Sequence, residues 1–383
     1  MEFKALRTGI CFNGFKASGV RSGKQGVALI TAGKACNAVG VFTRNRIKSG
    51  SVVYTRRKLR NGIMAVVVNS GNANCCTSTD VKDADTLASY ASKYLVVGKE
   101  NVAVSSTGII GRRLNTKGLR PLIEKASEGL GCSGKKSLEA AKAIMTTDTK
   151  PKVFAYSHKG IIIGGICKGS GMIAPNMGTM LCFLTSNADL PRGYLKKALS
   201  EAVDSTFNMI VLDDMSTNDS VMLLTDSSKK CSPKDFKLLL THVLRQFVKL
   251  MLEDAEGASK VLEVTIRGAK DVKTAGKAAK AVVSSNLVKT AFYGENPNWG
   301  RIANKLGGTI EVDFRKLDIV FASDRGRAYA VKSGRPQDIR RLARILKSKK
   351  IHVIADLKSG RSEATAWGCD LTPGYVKINA EYN

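Results

Sequence analysis

Histidine is scarce in this sequence. There are three in 383 residues, His158, His242 and His352, and they are scattered and joined in no motif. The commonest general base and metal ligand is therefore thinly supplied. His242 lies off the apolar stripe of the helix expected around it, so a solvated surface role is expected for it. The nine cysteines form no C-x-x-C pair, and the adjacent Cys75 and Cys76 have no second pair to complete a zinc site. An odd count without such pairs fits a reduced protein, with Cys167 and Cys182 as small core residues. No apolar run approaches the roughly 20 residues of a spanning helix, so no membrane partner is expected. The first fifteen residues, "MEFKALRTGICFNGF", lack the layout of a secretory or transit leader. A cytoplasmic location follows as an expectation.

Acidic residues are also few: 32 Asp and Glu stand against 61 Lys and Arg, a net charge of +29. Such an excess would suit nucleic acid or an acidic substrate. The basic residues are spread through "TRNRIK", "TRRKLR", "GRRLNTK" and "RRLARILKSKK", aromatics make up only 6%, and no aromatic stacking motif of the ribonucleoprotein kind is present. A basic surface is preferred over a nucleic-acid partner. At 43% hydrophobic the chain is an ordinary folded protein, and its length exceeds what one core usually serves. Two domains are expected, with a boundary at 275/276.

The periodicity predicts alternating strands and helices. "IMAVVVN" (63–69) reads as a buried strand running into the turn "SGNAN". Helical spacing covers 81–95 and 116–128, and a helix is expected to start on Ser137. Strands 152–158 and 160–167 are too close for anything but a hairpin, and a further strand covers 179–185. A helix should fill 193–207. The clearest helix is 233–254: Ser232 can cap it, Pro233 takes its first position, and Phe236, Leu240, Val243, Phe247 and Met251 share one face. Strand 261–267, helix 271–283, a polar loop at "YGENPNWGR", strand 318–322 and helix 336–347 follow. No dinucleotide fingerprint appears, and the class is α/β or α+β with mixed sheets.

Two near-motifs fail. "GLGCSGKKS" (129–137) resembles a phosphate loop, but Lys136 stands where a Ser or Thr must bind magnesium, and no strand precedes it. "DDMSTND" (213–219) lacks the glycine and distal Glu of a calcium loop; a turn held by side-chain hydrogen bonds is preferred.

The remaining unusual stretch is "KGSGMIAPNMGTMLCFLTSNA" (168–188), where Gly169, Gly171, Pro175 and Gly178 crowd in front of an apolar run. Alone it reads as a glycine-rich bend at a strand edge. It resembles the self-cleavage segment of the ornithine acetyltransferase (glutamate N-acetyltransferase) family. "GFKASGVRSGK", "GVFTRNRIK", "VNSGNAN", "SSTGIIGRRL", "IMTTDTKPK", "STNDSV", "EGASK", "LVKTAFYGENPNWGRI" and "AWGCDLTPGYVKINAEY" also occur in the family's order.

The resemblance implies a layered αββα sandwich like that of the N-terminal-nucleophile hydrolases, with a smaller C-terminal α/β domain. It implies a cut between Gly178 and Thr179, where the family more often has Ala before the Thr. The products would be chains 1–178 and 179–383, in a heterotetramer of two of each. Thr179 would be the nucleophile, with its new α-amine as base. Thr107 and Gly108 would form the oxyanion hole. Thr146 (with Thr147 a nearby alternative), Lys168, Glu256 and Asn379 would bind substrate. The family usually continues one residue past Asn383 to a threonine that also binds substrate, so that contact is expected to be altered.

The implied reaction moves an acetyl group from N2-acetylornithine to glutamate, in the cyclic route to arginine, without metal or organic cofactor. Some family members also take acetyl-CoA, and no phosphate motif decides that point here. Two other readings stay open: a related self-cleaving aminopeptidase or amidase, and a basic nucleic-acid-binding protein on an inactive scaffold.

Overall fold

A computed structural model describes residues 2–172, 180–212 and 214–381. Its contacts divide the chain into two units, 1–208 with 215–251, and 209–214 with 252–383.

The first unit carries strands β1 (Lys4–Leu6), β2 (Lys16–Ser22), β3 (Gln25–Phe42), β4 (Ile63–Asn72), β5 (Val102–Ile109), β6 (Lys152–His158), β7 (Ile161–Lys168), β8 (Leu181–Asp189) and β9 (Ser220–Lys230). Its helices are α1 (Gly50–Lys58), α2 (Asp80–Leu95), α3 (Thr116–Glu128), α4 (Gly134–Ala143), α5 (Arg192–Asp204) and α6 (Pro233–Glu253), the last crossing the boundary. The strand order is β1-β6-β7-β8-β9-β3-β4-β5, with β2 also on β3. The β8–β9 and β4–β5 pairs are parallel.

The long β3 belongs to two sheets. Its residues 26–31 pair with β4, a register break follows, and residues 37–42 pair with β9. Strand periodicity then separates the layers. Ala28 and Ile30 of β3, Val66 and Val68 of β4 and Ala103 of β5 face a core shared with Ile166, Leu181, Phe183, Met222 and Leu224 of the other sheet. Their neighbours Val27, Leu29, Ala65, Val67, Val102 and Val104 face the opposite way, onto Leu87 of α2 and Ile123 of α3. Side chains alternate across a strand, so one run of apolar residues can serve both faces. Phe236, Leu240, Val243, Phe247 and Met251 of α6 are all fully buried, as their spacing predicts; each such burial is worth about 1.5–3 kcal/mol. Helix, sheet, sheet and helix thus stack in the αββα order.

The second unit has strands β10 (Val261–Ala269), β11 (Asp318–Ser323), β12 (Gly326–Lys332), β13 (Arg335–Pro336), β14 (Lys350–Asp356) and β15 (Ser362–Cys369). It adds helices α7 (Val272–Ser284), α8 (Asn286–Tyr293), α9 (Trp299–Gly307), α10 (Arg340–Leu346) and α11 (Pro373–Glu381). The sheet order is β13-β12-β11-β14-β10-β15, and α7 packs on β10 and β15 over a separate apolar core.

Several expectations need correction. The boundary falls at Met251/Leu252 rather than 275/276. β10 is an inner strand of the second sheet, so it cannot belong to the first domain. Helix α4 starts at Gly134, not Ser137, because the Ser133 hydroxyl accepts from the Lys136 N–H and caps it there. This places the near-phosphate-loop residues 134–137 in a helix. "YGENPNWGR" is not simply a loop: it includes the end of α8 and the start of α9. His242 is not a solvated surface residue: its ring stacks on Phe3 at 4.2 Å and meets the edge of Tyr156 at 4.6 Å. Burial, then the nearby Lys249 and Arg245, lowers its pKa.

Candidate functional site

Thr107 and Gly108, near the end of strand β5, pair in register with Ser70 and Gly71 near the end of β4. Gly108 has φ +133°, and a Cβ there would lie 2.3 Å from the carbonyl carbon of Gly71. Only glycine permits that close pairing. Next to it, the Thr107 side chain is buried and accepts a hydrogen bond from Lys168 Nζ at 3.3 Å. A hydroxyl that accepts from an ammonium still has its own proton to donate.

Lys168 closes β7, immediately before the glycine-rich stretch, and is itself buried. Thr146 lies beyond the end of α4. Its N–H donates to Asp148 Oδ2 at 3.2 Å, while Asp148 Oδ1 accepts from Gly169 N–H and Lys152 Nζ, each at 2.7 Å. Burial alone would push the Asp148 carboxyl up. Lys168 and Lys152, with the bonds from Lys152 and Gly169, overcome that and hold it below the usual carboxylate range. Thr147 instead exchanges a hydrogen bond with Ser170 at 2.8 Å.

Behind β5, Asn218 Nδ2 donates to the carbonyls of Ser106 and Ala73 at 2.7 and 2.6 Å. Its neighbour Asp219 is fully buried and accepts from Met180 N–H at 2.8 Å through Oδ1. Burial drives the Asp219 carboxyl well above its ordinary range, against smaller opposing effects of Met180 N–H and Lys168. The 214–219 stretch is thus held by side-chain hydrogen bonds; Asp213 lies outside the described residues. Among the described residues no cluster could hold a metal ion.

Thr146 and Lys168 therefore both act on one buried carboxylate, Asp148, and Lys168 ties Thr107, next to Gly108, to the same place. Gly178 and Thr179 lie outside the described residues. In the second unit, Asn379 Nδ2 of α11 donates to Glu256 Oε2 at 3.0 Å. Gly257, at φ +62°, makes that meeting possible, since a Cβ on it would strike the Tyr375 nitrogen at 2.3 Å. Asp148, Lys152, Asn218 and Asp219 were not singled out by sequence reasoning as parts of a site. The signal for them was present, because they lie inside "IMTTDTKPK" and "STNDSV".

The sequence matches the ArgJ family model over residues 13–383. The chain belongs to the ArgJ family. This ArgJ chain is 40% identical over 391 residues to a glutamate N-acetyltransferase of Methanocaldococcus jannaschii, covering 96% of each chain. It is 42% identical over 394 residues to a glutamate N-acetyltransferase of Methanosarcina acetivorans, covering 99% of each. A crystal structure of an arginine biosynthesis bifunctional protein ArgJ from Bacillus halodurans is 35% identical, covering 52% of this ArgJ chain and 98% of that one, at a TM-score of 0.48.

Proposed function

We propose that this chain is a glutamate N-acetyltransferase of arginine biosynthesis that moves the acetyl group of N2-acetylornithine to glutamate. The observation that carries the reading is the contact between Lys168 Nζ and Thr107 Oγ1. It joins, across 61 positions, a hydroxyl suited to an oxyanion and a cation suited to a carboxylate.

The chain cuts itself between Gly178 and Thr179, and the new α-amine of Thr179 serves as base. Its reference pKa, about 7.7–8.0, suits proton transfer near neutral pH. Thr179 Oγ attacks the acetyl carbonyl, and its proton passes through the amine to the departing ornithine. The Thr107 hydroxyl and the Gly108 N–H take the negative oxygen of the tetrahedral intermediate. Glutamate then attacks the acetyl-threonine ester through its amino group, and the proton released returns to Thr179 Oγ. The substrate-binding residues proposed are Lys168 and Thr146, and Glu256 and Asn379; an ammonium suits a carboxylate, and a carboxylate suits an ammonium. Transfer between two amines through an ester needs no cofactor. The assembly proposed is a heterotetramer of two 1–178 and two 179–383 chains, in the cytoplasm. No helix among the described residues is long and apolar enough to cross a membrane.

The test is incubation with N2-acetylornithine and isotopically labelled glutamate, followed by mass spectrometry of the amino acids and the protein. The expected products are ornithine, labelled N-acetylglutamate and a 179–383 fragment one acetyl group heavier. Acetate in place of N-acetylglutamate would assign the chain to the amidase class. No turnover at all would remove the reading.

A further inference from the structure

The register break that carries β3 from one sheet to the other leaves a hollow. Residues 32–35 pair with no neighbouring strand, between Thr31, opposite Ala65 of β4, and Cys36, opposite Ile63. Beside them lies a cavity of about 390 Å³, at the small end of ligand cavities. Its floor is Phe15, Cys36 and Asp226, all buried, and its rim is Gly14, Gly33 and Lys34, all exposed. Neither backbone nor packing requires glycine at position 33: its φ is not positive, and a Cβ there would meet no atom within 4 Å. The absent side chain leaves the mouth of the cavity open.

Two opposite charges line this cavity without joining. Asp226 is 8% exposed, and among the described residues its carboxylate accepts one hydrogen bond, from Ser228 N–H at 2.9 Å, with no ion pair to Lys34. Both charges are felt at Cys36: burial, then Asp226, pushes its thiol up to about 12, while Lys34 pulls the other way. The thiol is therefore neutral and adds no charge of its own. A buried carboxylate with one N–H partner favours a cation that can reach it, and the rim lysine favours an anion. The cavity is also remote from Thr107 and Lys168. Asp226 stands six positions along β9 from Ser220, whose β8 partner Leu181 pairs with Lys168. At about 3.3 Å per residue, that is about 20 Å along the sheet.

We propose that this cavity binds a free amino acid with an apolar side chain, its α-ammonium on Asp226, its α-carboxylate towards Lys34 and its side chain against Phe15. The site is separate from the one assigned to acetyl transfer, and the inference does not depend on that reading.

The experiment is titration calorimetry of the full-length protein with L-leucine, L-methionine and L-phenylalanine. At least one should bind with a Kd below about 1 mM. The α-amide of the tightest probe lacks the carboxylate, and its des-amino acid lacks the ammonium; each should bind more weakly than the amino acid. Asp226→Asn keeps the acceptor for Ser228 N–H but loses the charge, and should weaken the probe about tenfold or more. Gly33→Leu, which plugs the mouth and leaves Asp226 in place, should do the same. Lys34→Met should weaken the amino acid and leave its amide unchanged.

Thermal melts check that each variant is folded, and should Asp226→Asn not fold, Gly33→Leu decides. Failure of all three probes to bind below about 1 mM overturns the proposal. So does binding that survives Asp226→Asn or Gly33→Leu unchanged, or an amide that binds as tightly as the amino acid. None of these measurements requires turnover, so a protein without acetyl transfer would leave this test intact.

Discussion

Replacing Thr107 by valine separates chemistry from folding at this site. Valine keeps the branched shape that β5 buries and removes only the hydroxyl. In the folded protein the loss is one hydrogen bond from the Lys168 ammonium at 3.3 Å, worth about 1.5–3 kcal/mol for a charged partner. In the reaction the loss is an oxyanion donor, worth roughly 3–4 kcal/mol, or about 10²–10³-fold in kcat. Self-cleavage passes through a tetrahedral oxyanion too, so formation of the 1–178 and 179–383 fragments should slow alongside transfer. Initial rates of N-acetylglutamate formation, gel analysis over time and urea denaturation measure the three quantities on one preparation. Turnover within about fivefold of wild type, less than 1 kcal/mol of barrier, would refute the oxyanion role. A urea midpoint that collapses together with turnover would instead make Thr107 a structural residue.

Thr179→Ala should abolish both fragment formation and acetyl transfer; a cleaved variant on a denaturing gel would place the nucleophile elsewhere. Gly108→Ala should lose roughly 1–3 kcal/mol through backbone strain alone, more as the new Cβ meets Gly71, and turnover should fall with it; thermal melts and rates equal to wild type would mean that the β4–β5 pairing relaxes freely. Asp219→Asn should gain stability over wild type as pH rises from about 4 to 8. The folded carboxyl titrates well above its ordinary range while the unfolded one titrates near 3.9, so between these values the unfolded chain binds fewer protons and wild-type stability falls with pH. Melting temperatures of the two proteins that differ by the same amount at every pH would contradict this.

The apolar strands and the long helix were legible because their residues announce themselves. "IMAVVVN" and the five-residue stripe of α6 admit few alternatives. The capping choice between Ser133 and Ser137 was not, since both are serines ahead of a helical pattern and only Ser133 directs its oxygen at a free N–H. Helices α8 and α9 were obscured by Gly294, Pro297 and Gly300, which mark turns locally, yet here Gly294 and Pro297 lie between two short helices and Gly300 sits in the first turn of the second. The domain boundary was hidden inside α6, where no linker composition signals it. At the site, "STG" alone is an ordinary turn; the fold supplies Lys168 from 61 residues away. The Asp148 cluster was less legible still, because a buried salt bridge leaves no periodicity in the sequence.

The order of strands in the first unit has a consequence for a chain cut at 178/179. β8 and β9 would belong to one product, yet they lie between β7 and β3 of the other, joined by the β7–β8 and β3–β9 ladders. The two polypeptides would be interlocked like the teeth of a closed zip, and neither could leave without unpairing the middle of the sheet. Dissociation would then be the same event as unfolding, with the same barrier. Dilution would not separate the products, and the break would cost the molecule one peptide bond and none of its integrity.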